Sequence, residues 1–154
     1  MVANGSASAL GEVYSGGLRQ LLPRTNVLVD AYEAVAEPEG FRTDWVSRQL
    51  EQVARMIAAR GEEGRRVERD AFYVQVDRCD TYNSFKSNFD ERLEDVSDGL
   101  ESFVAEMERL GVWRDVLVVS VSEFGRALTP RSRGSDSGWG GHHLLLGGSL
   151  RGGQ

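Results

Sequence analysis

The chain has 154 residues, of which 40% are apolar and 27% are charged, and this composition is typical of a folded domain with a core. Its formal net charge of -6 argues against a nucleic-acid-binding protein, because nucleic acids are bound through concentrated positive charge. No apolar stretch reaches the roughly 20 residues that a bilayer-spanning helix needs, so we expect no membrane span. The single cysteine, Cys79, excludes an internal disulfide framework, and we expect it to be a buried, inert thiol.

The first 40 residues predict little regular structure. Residues 1–17 are rich in Gly, Ser and Ala and show no helical period. A short helix is predicted from Val27 to Ala36, and the turn-forming residues 38–40 would end it. We therefore expect residues 1–40 to be a poorly defined N-terminal lead-in and residues 41–154 to be the folded portion.

A strongly amphipathic helix is predicted next. Thr43 or Asp44 is suited to cap its first turn, and Gly61 is suited to end it. Apolar residues recur in this segment at helical spacing and would form one inward face: Val46, Leu50, Val53, Met56 and Ile57.

A strand, a long helix and a second strand follow. The strands are predicted over Ala71–Val76 and Val116–Val121, because both segments are apolar and rich in β-formers, and Leu144–Leu146 is a candidate third strand. The helix is predicted over Phe89–Leu110 and stops at Gly111. Its inward face would be formed by Leu93, Val96, Leu100, Phe103, Val104, Met107 and Leu110. This order is typical of a right-handed βαβ crossover with parallel strands, so we predict an α/β fold with a mostly parallel sheet and a βαβ core.

Polar residues follow both predicted strands. Asp80 follows the first strand, and Glu123 and Arg126 follow the second. Because the carboxyl ends of parallel strands share one sheet edge, we expect Asp80 and Glu123 to converge. Carboxylates and imidazoles suit zinc, manganese, magnesium or calcium, and Arg126 is suited to bind an anionic oxygen. The alternative is that the two acids form turns or pair with a nearby arginine.

The Gly-rich segment Ser135–Gly148 carries the two histidines, His142 and His143. Consecutive residues of a strand point to opposite faces, so at most one of these histidines reaches a given site. Trp139 either covers a ligand or packs on a Gly-rich turn. We expect the glycines to allow tight backbone paths, because the strand, Gly-rich loop and helix order of a phosphate cradle is missing.

These segments together resemble the DUF1501 family. The resemblance covers about Phe41 to Gly153 and depends on TDWVSRQLEQVARMIAARG, LGVWRDVLVVSVSEFGRALTP and GSDSGWGGHHLLLGGSLRGG, which follow the order of the family. The family is usually placed in the alkaline phosphatase and sulfatase superfamily. The resemblance therefore implies a partial α/β/α sandwich with a metal site at the carboxyl edge of its sheet. It also implies that residues 41–154 are the C-terminal portion of a longer DUF1501 domain.

Three motifs of the family can be placed on the chain. Gly-Gly-Phe-Asp-Thr-His places Asp80, and Ser-Glu-Phe-Gly-Arg-Thr places Ser122–Arg126. Asp-His-Gly-Trp-Gly-Gly-His places Asp136 at its start and His142 at its end.

Two histidines of these motifs are replaced in this chain. Tyr82 stands where the histidine after Asp-Thr is expected, and Ser137 stands where the histidine after the loop aspartate is expected. Residues 77–79, Asp-Arg-Cys, replace Gly-Gly-Phe. Tyrosine and serine are poor substitutes for imidazole at a zinc-like site.

The resemblance implies two alternative functions. The first is a metal-dependent hydrolase acting on a small anionic phosphate or sulfate ester, with Arg126 binding the anion. Its divalent metal would be held by Asp80, Glu123, Asp136 and His142. The second is a non-catalytic binding or structural remnant of the fold, and the replaced histidines lead us to expect an inactive chain. Exposed sheet edges are expected to allow self-association.

Overall fold

A computed structural model describes residues 8–61, 67–80, 85–129 and 134–153. The described helices are α1 (Ala9–Glu33), α2 (Trp45–Ala58) and α3 (Phe85–Arg109), followed by a 3₁₀ turn (Trp113–Asp115). The described strands have two residues each and are β1 (Val118–Val119), β2 (Gly125–Arg126), β3 (Ser137–Gly138) and β4 (Leu145–Leu146). Within these ranges, none of the helices combines the length and apolar character that a bilayer span needs, as predicted.

The described strands form two small antiparallel sheets. β1 pairs with β4 in the register that places Val119 opposite Leu145. β2 pairs with β3 in the register that places Arg126 opposite Ser137. The predicted α/β fold, a partial α/β/α sandwich with a mostly parallel sheet and a βαβ core, is therefore wrong.

The difference between the predicted and the observed sheets arises at Ala71–Val76, the first predicted strand. Residues 71–80 form no strand, and the main chain of Gln75 is paired with the side chain of Gln49. The Gln75 N–H donates to Gln49 Oε1 at 2.9 Å, and Gln49 Nε2 donates to the Gln75 carbonyl at 2.9 Å. A side-chain amide thus takes the hydrogen bonds that a neighbouring strand would make, and β1 has no parallel partner in the described part of the chain.

The chain divides into two compact units, and the first is built from the described parts of Met1–Glu37 and Arg55–Ala71. The Arg55 guanidinium lies 4.0 Å from the centre of the Tyr32 ring, where a cation is attracted to the aromatic face. Its Nε also donates to the Tyr32 carbonyl at 3.1 Å, and its Nη1 lies 3.2 Å from Glu37 Oε1. This arginine lies in the last turn of α2 and therefore fastens that turn to the end of α1.

Helix α1 begins much earlier than the short helix predicted from Val27 to Ala36. It starts at Ala9 and continues through Gly16 and Gly17 to Glu33. Gly16 and Gly17 obscure this helix in the sequence, because glycine has a low helix propensity and no side chain to continue the apolar pattern. The expected boundary at residue 41 stays a prediction.

The second unit comprises Pro38–Ala54 and the described parts of Phe72–Gln154. Asp44 caps α2 as predicted, because its Oδ1 accepts hydrogen bonds from the N–H groups of Val46 (3.0 Å) and Ser47 (2.9 Å). α3 ends before Gly111, whose φ of 72° suits a helix stop.

The core of the second unit contains residues from both predicted inward faces. Its buried apolar side chains are Val46, Leu50, Ala54, Phe103 and Met107. Helices α2 and α3 touch at Gly99, where an added Cβ would lie 3.0 Å from Leu50 Cδ1. The predicted helices α2 and α3 are thus confirmed, although Leu93, the first residue of the predicted inward face of α3, is 49% exposed.

Candidate functional site

Arg126 joins three separate segments of the second unit. Its Nη2 lies 2.6 Å from Asp80 Oδ1 and also donates to the Cys79 carbonyl at 3.0 Å. Its Nη1 donates to the Ser135 carbonyl at 2.9 Å. We call Arg126, Cys79, Asp80 and Ser135 the Arg126 cluster. It joins parts of the first two family motifs to Ser135, the residue just before the third motif, and its centre is an ion pair.

Glycines allow β2 and β3 to approach closely enough to form this cluster. A Cβ at Gly125 would lie 2.6 Å from the Gly138 carbonyl oxygen, and one at Gly138 would lie 2.5 Å from the Ala127 nitrogen. Real side chains do not fit at such distances. The predicted role of a tight backbone path is therefore confirmed for Gly138, and this approach places Arg126 next to Ser135.

The segment before Asp80 contains a strained residue. Arg78 has a φ of 60°, a left-handed conformation that side-chain-bearing residues adopt at a cost and glycine adopts readily. In the family motif Gly-Gly-Phe-Asp-Thr-His, the position that matches Arg78 is a glycine. Sequence reasoning did not identify this backbone requirement, and the motif glycine is the signal that could have revealed it.

Cys79 is exposed, so the prediction of a buried thiol is wrong. Desolvation of its sulfur raises the pKa of the thiol, the Asp77 carboxylate raises it further, and Arg92 and Arg126 act in the opposite direction. A raised pKa keeps the sulfur protonated near neutral pH, which disfavours a role as a nucleophile.

The four predicted metal ligands lie in the described residues but take different environments. Asp80 pairs with Arg126, and its side chain is 55% exposed. Glu123 and His142 are exposed. Asp136 is half-buried, and its main-chain carbonyl accepts a hydrogen bond from the Ala127 N–H at 2.9 Å.

These residues do not form a metal-binding group as they stand. In the part of the chain that the structure describes, no three or more His, Cys, Asp or Glu residues are grouped so that they could hold a metal ion. The metal assignment stays a prediction. Of the two replaced histidine positions, Ser137 is exposed in β3, whereas Tyr82 lies outside the described residues.

The other residues of the Gly-rich ending do not line a closed site. His143 is exposed, and its Nδ1 lies 3.0 Å from the Ser120 carbonyl oxygen. Trp139 is 84% exposed, so the interpretation that it packs on a Gly-rich turn is wrong.

The arrangement of the Arg126 cluster limits its chemistry. An anionic ester oxygen would have to compete with the Asp80 carboxylate for the guanidinium of Arg126. A metal ion at Asp80 would in turn have to compete with that guanidinium. The cluster as it stands is an ion pair that fastens a loop to a hairpin.

Comparison with known proteins assigns the chain to a family. Residues 15–154 match DUF1501, described as a protein of unknown function. No curated protein and no solved structure matches the chain. Since the match covers nearly the whole sequence, including all segments of the Arg126 cluster, the chain belongs to the DUF1501 family.

Proposed function

We propose that this DUF1501 chain acts as a non-catalytic binding or structural protein, descended from metal-dependent phosphate and sulfate ester hydrolases of the alkaline phosphatase superfamily. The observation that carries the proposal is the contact of 2.6 Å between Arg126 Nη2 and Asp80 Oδ1. This single ion pair engages both the predicted anion-binding residue and one of the predicted metal ligands.

Two further features support the proposal. Arg126 also donates to two main-chain carbonyls, those of Cys79 and Ser135, so its guanidinium is held in place by the backbone on both sides. Ser137 offers a neutral hydroxyl where the family motif has an imidazole, and hydroxyls are weak ligands for zinc-like metals. Together these features favour structural use of the cluster over catalysis.

The second candidate is a metal-dependent ester hydrolase with ligands at Asp80, Glu123, Asp136 and His142. It is favoured by the position of Arg126, which contacts Asp80 of the first motif and pairs with Ser137 of the third motif in the β2–β3 register. A divalent metal there would supply Lewis-acid activation of the ester. In this candidate, the four named residues would hold the metal and Arg126 would bind the substrate anion.

Metal binding by the purified chain separates the two candidates. After dialysis against zinc or manganese and removal of excess ion, we expect far less than about one metal per chain by mass spectrometry, because a two-histidine deficit weakens binding by orders of magnitude. We also expect no hydrolysis of aryl phosphates or aryl sulfates above the rate of buffer alone. Stoichiometric metal together with hydrolysis would contradict the proposal and establish the enzyme.

A double variant tests the assignment of the two replaced histidines. Tyr82→His with Ser137→His should raise zinc affinity at least about tenfold over the wild type, since each good ligand contributes strongly. The matched control, Tyr73→His with Ser97→His, makes the same two changes at exposed positions away from the cluster. Equal zinc affinity of the two double variants would show that the motif positions are not special.

A further inference from the structure

The β1–β4 pair has an exposed apolar face. Leu117, Val119 and Val121 alternate along the first strand segment, and they are 58%, 49% and 75% exposed. Leu145 lies opposite Val119 in the antiparallel register and is 59% exposed. Directly opposite residues of two strands lie on the same face, so these four side chains share one face of the ribbon. We call residues 116–121 and 143–148 the apolar ribbon.

This pattern is unusual for a ribbon that meets water on one side. A solvated face of an antiparallel pair carries polar side chains, whereas strands covered on both faces are continuously apolar. The second face of the ribbon is also apolar, with Val116, Val118 and Leu146 half-buried. The apolar ribbon therefore has the sequence of a strand pair that is covered on both faces.

One edge of the ribbon is also open. The Ser120 N–H donates to the Leu144 carbonyl at 2.9 Å, so the even-numbered residues of this strand share hydrogen bonds with β4. The main-chain groups of Leu117, Val119 and Val121 point to the opposite edge, because the direction alternates along an antiparallel strand. No turn or loop hydrogen bond within the described ranges engages them. Such an edge is a template for another strand.

We propose that two copies of this chain associate through the apolar ribbon. Residues 116–122 and 137–150 contain no Asp, Glu, Lys or Arg, although 27% of the chain is charged. Each copy has a net charge of -6, so two copies repel each other least where an uncharged surface meets an uncharged surface. A cationic partner would instead be attracted to the acidic parts of the chain.

A twofold axis makes the ribbon complementary to itself. Antiparallel pairing of one open edge with the same edge of a second copy satisfies the main-chain groups on both sides and places the apolar side chains of the two copies next to each other on one continuous face. Stable interfaces bury about 800 Å² per partner, and four partly exposed aliphatic side chains with one strand edge cover only a part of that area. The dimer is therefore weak and depends on concentration.

Sedimentation velocity over a concentration series tests this association. From about 1 µM to about 300 µM, the wild-type chain should shift from monomer to dimer, as expected for an interface at the small end of the range. Val121→Lys removes an apolar cross-strand contact at each end of the paired edge and should weaken dimerisation about tenfold, because such contacts stabilise strand pairing. Raising NaCl from about 50 mM to about 500 mM should strengthen the dimer, because salt screens the repulsion between two acidic copies.

Leu10→Lys is the matched control, since Leu10 is an apolar residue of α1 with a similar exposure of 79%. It should leave the dimerisation constant within about twofold of the wild type, because it does not change the apolar ribbon. Val121→Thr, which keeps the β-branched shape, should weaken the dimer less than Val121→Lys and serves if the lysine variant loses its far-ultraviolet circular dichroism.

Several results would overturn the proposal. The wild-type chain could stay monomeric over the whole series, or Leu10→Lys could weaken association as much as Val121→Lys. A dimer that salt dissociates, or one that both folded Val121 variants leave unchanged, would also place the contact elsewhere.

Discussion

Helices α2 and α3 and the apolar ribbon carry similar apolar side chains, but the helices bury theirs and the ribbon exposes its own. On α3, Phe103 and Met107 are 2% and 0% exposed. On the ribbon, Leu117 and Val121 are 58% and 75% exposed. The difference follows from where each element finds its main-chain hydrogen bonds. A helix makes them within itself and can then turn its stripe to a neighbour, whereas a strand needs a distant segment to pair with before its faces can be covered.

From this comparison we predict that the buried side chains of the helices contribute more to the free energy of unfolding than the exposed side chains of the ribbon do. Met107→Ala removes most of a fully buried side chain and should lower the free energy of unfolding by about 3 kcal/mol, the usual cost of such a cavity. Urea denaturation followed by circular dichroism at 222 nm, the helical signal, measures it.

Val121→Ala is the partner experiment on the ribbon. It removes apolar atoms that already face water, so the free energy of unfolding should stay within about 0.5 kcal/mol of the wild type at a protein concentration where the chain is monomeric. A cost as large as that of Met107→Ala would mean that the ribbon face is covered within one copy, and the contrast between the two regions would disappear.

The contact between α2 and α3 at Gly99 gives a second, smaller test. A Cβ at Gly99 would lie 3.0 Å from Leu50 Cδ1 and 3.3 Å from Ser47 Oγ, and the additional methyl groups of valine would press further into α2. Gly99→Val should therefore lower the free energy of unfolding by about 2 kcal/mol, the usual cost of overpacking.

The matched control is Gly16→Val in α1, where nothing lies within 4 Å of an added Cβ. Valine is a slightly better helix former than glycine, so this variant should equal or slightly exceed the wild type in stability. If both variants behaved alike, the close approach of α2 and α3 at Gly99 would not limit stability.

Local rules account for what the sequence predicted correctly. The α2 cap at Asp44, the stop at Gly111 and the inward positions of Leu50, Phe103 and Met107 follow from residues within a few turns of one another. The start of α1 was missed because Gly16 and Gly17 interrupt its pattern.

Long-range pairing accounts for what failed. Apolar runs predict that a segment can be a strand, but they do not identify its partner, and the Gln49 side chain occupies the main chain of Gln75. At the candidate site, the segments of Asp80 and Arg126 do meet. The sequence predicted that these segments converge, but it did so from a parallel sheet that the structure does not have. The alternative that Asp80 pairs with an arginine matches the contact observed.

The cap of α2 gives the smallest expected effect. It tests whether residues close together in the sequence determine where this helix begins. Asp44→Ala removes the acceptor for the N–H groups of Val46 and Ser47 and should lower the free energy of unfolding by about 1 kcal/mol at neutral pH. Asp44→Asn keeps an acceptor oxygen in the same place and should cost much less.

The pH dependence of the same variants separates the charge of the cap from its hydrogen bonds. Burial of the Asp44 carboxyl is the largest single influence and opposes ionisation, but the Ser47 side chain and the N–H groups of Ser47 and Val46 together outweigh it and lower the pKa below its ordinary value of 3.8. A lowered pKa in the folded state means that the ionised carboxylate stabilises the fold at pH values above the ordinary pKa, and that this stabilisation is lost as the pH falls through the lowered pKa.

Between about pH 5 and about pH 3, the free energy of unfolding should therefore fall more steeply for the wild type than for Asp44→Asn. Asp115→Asn, at an exposed aspartate of the 3₁₀ turn, should retain the steep wild-type slope. Parallel slopes for the wild type and Asp44→Asn would show that the cap acts through its hydrogen bonds alone, because the amide keeps those bonds and lacks only the charge.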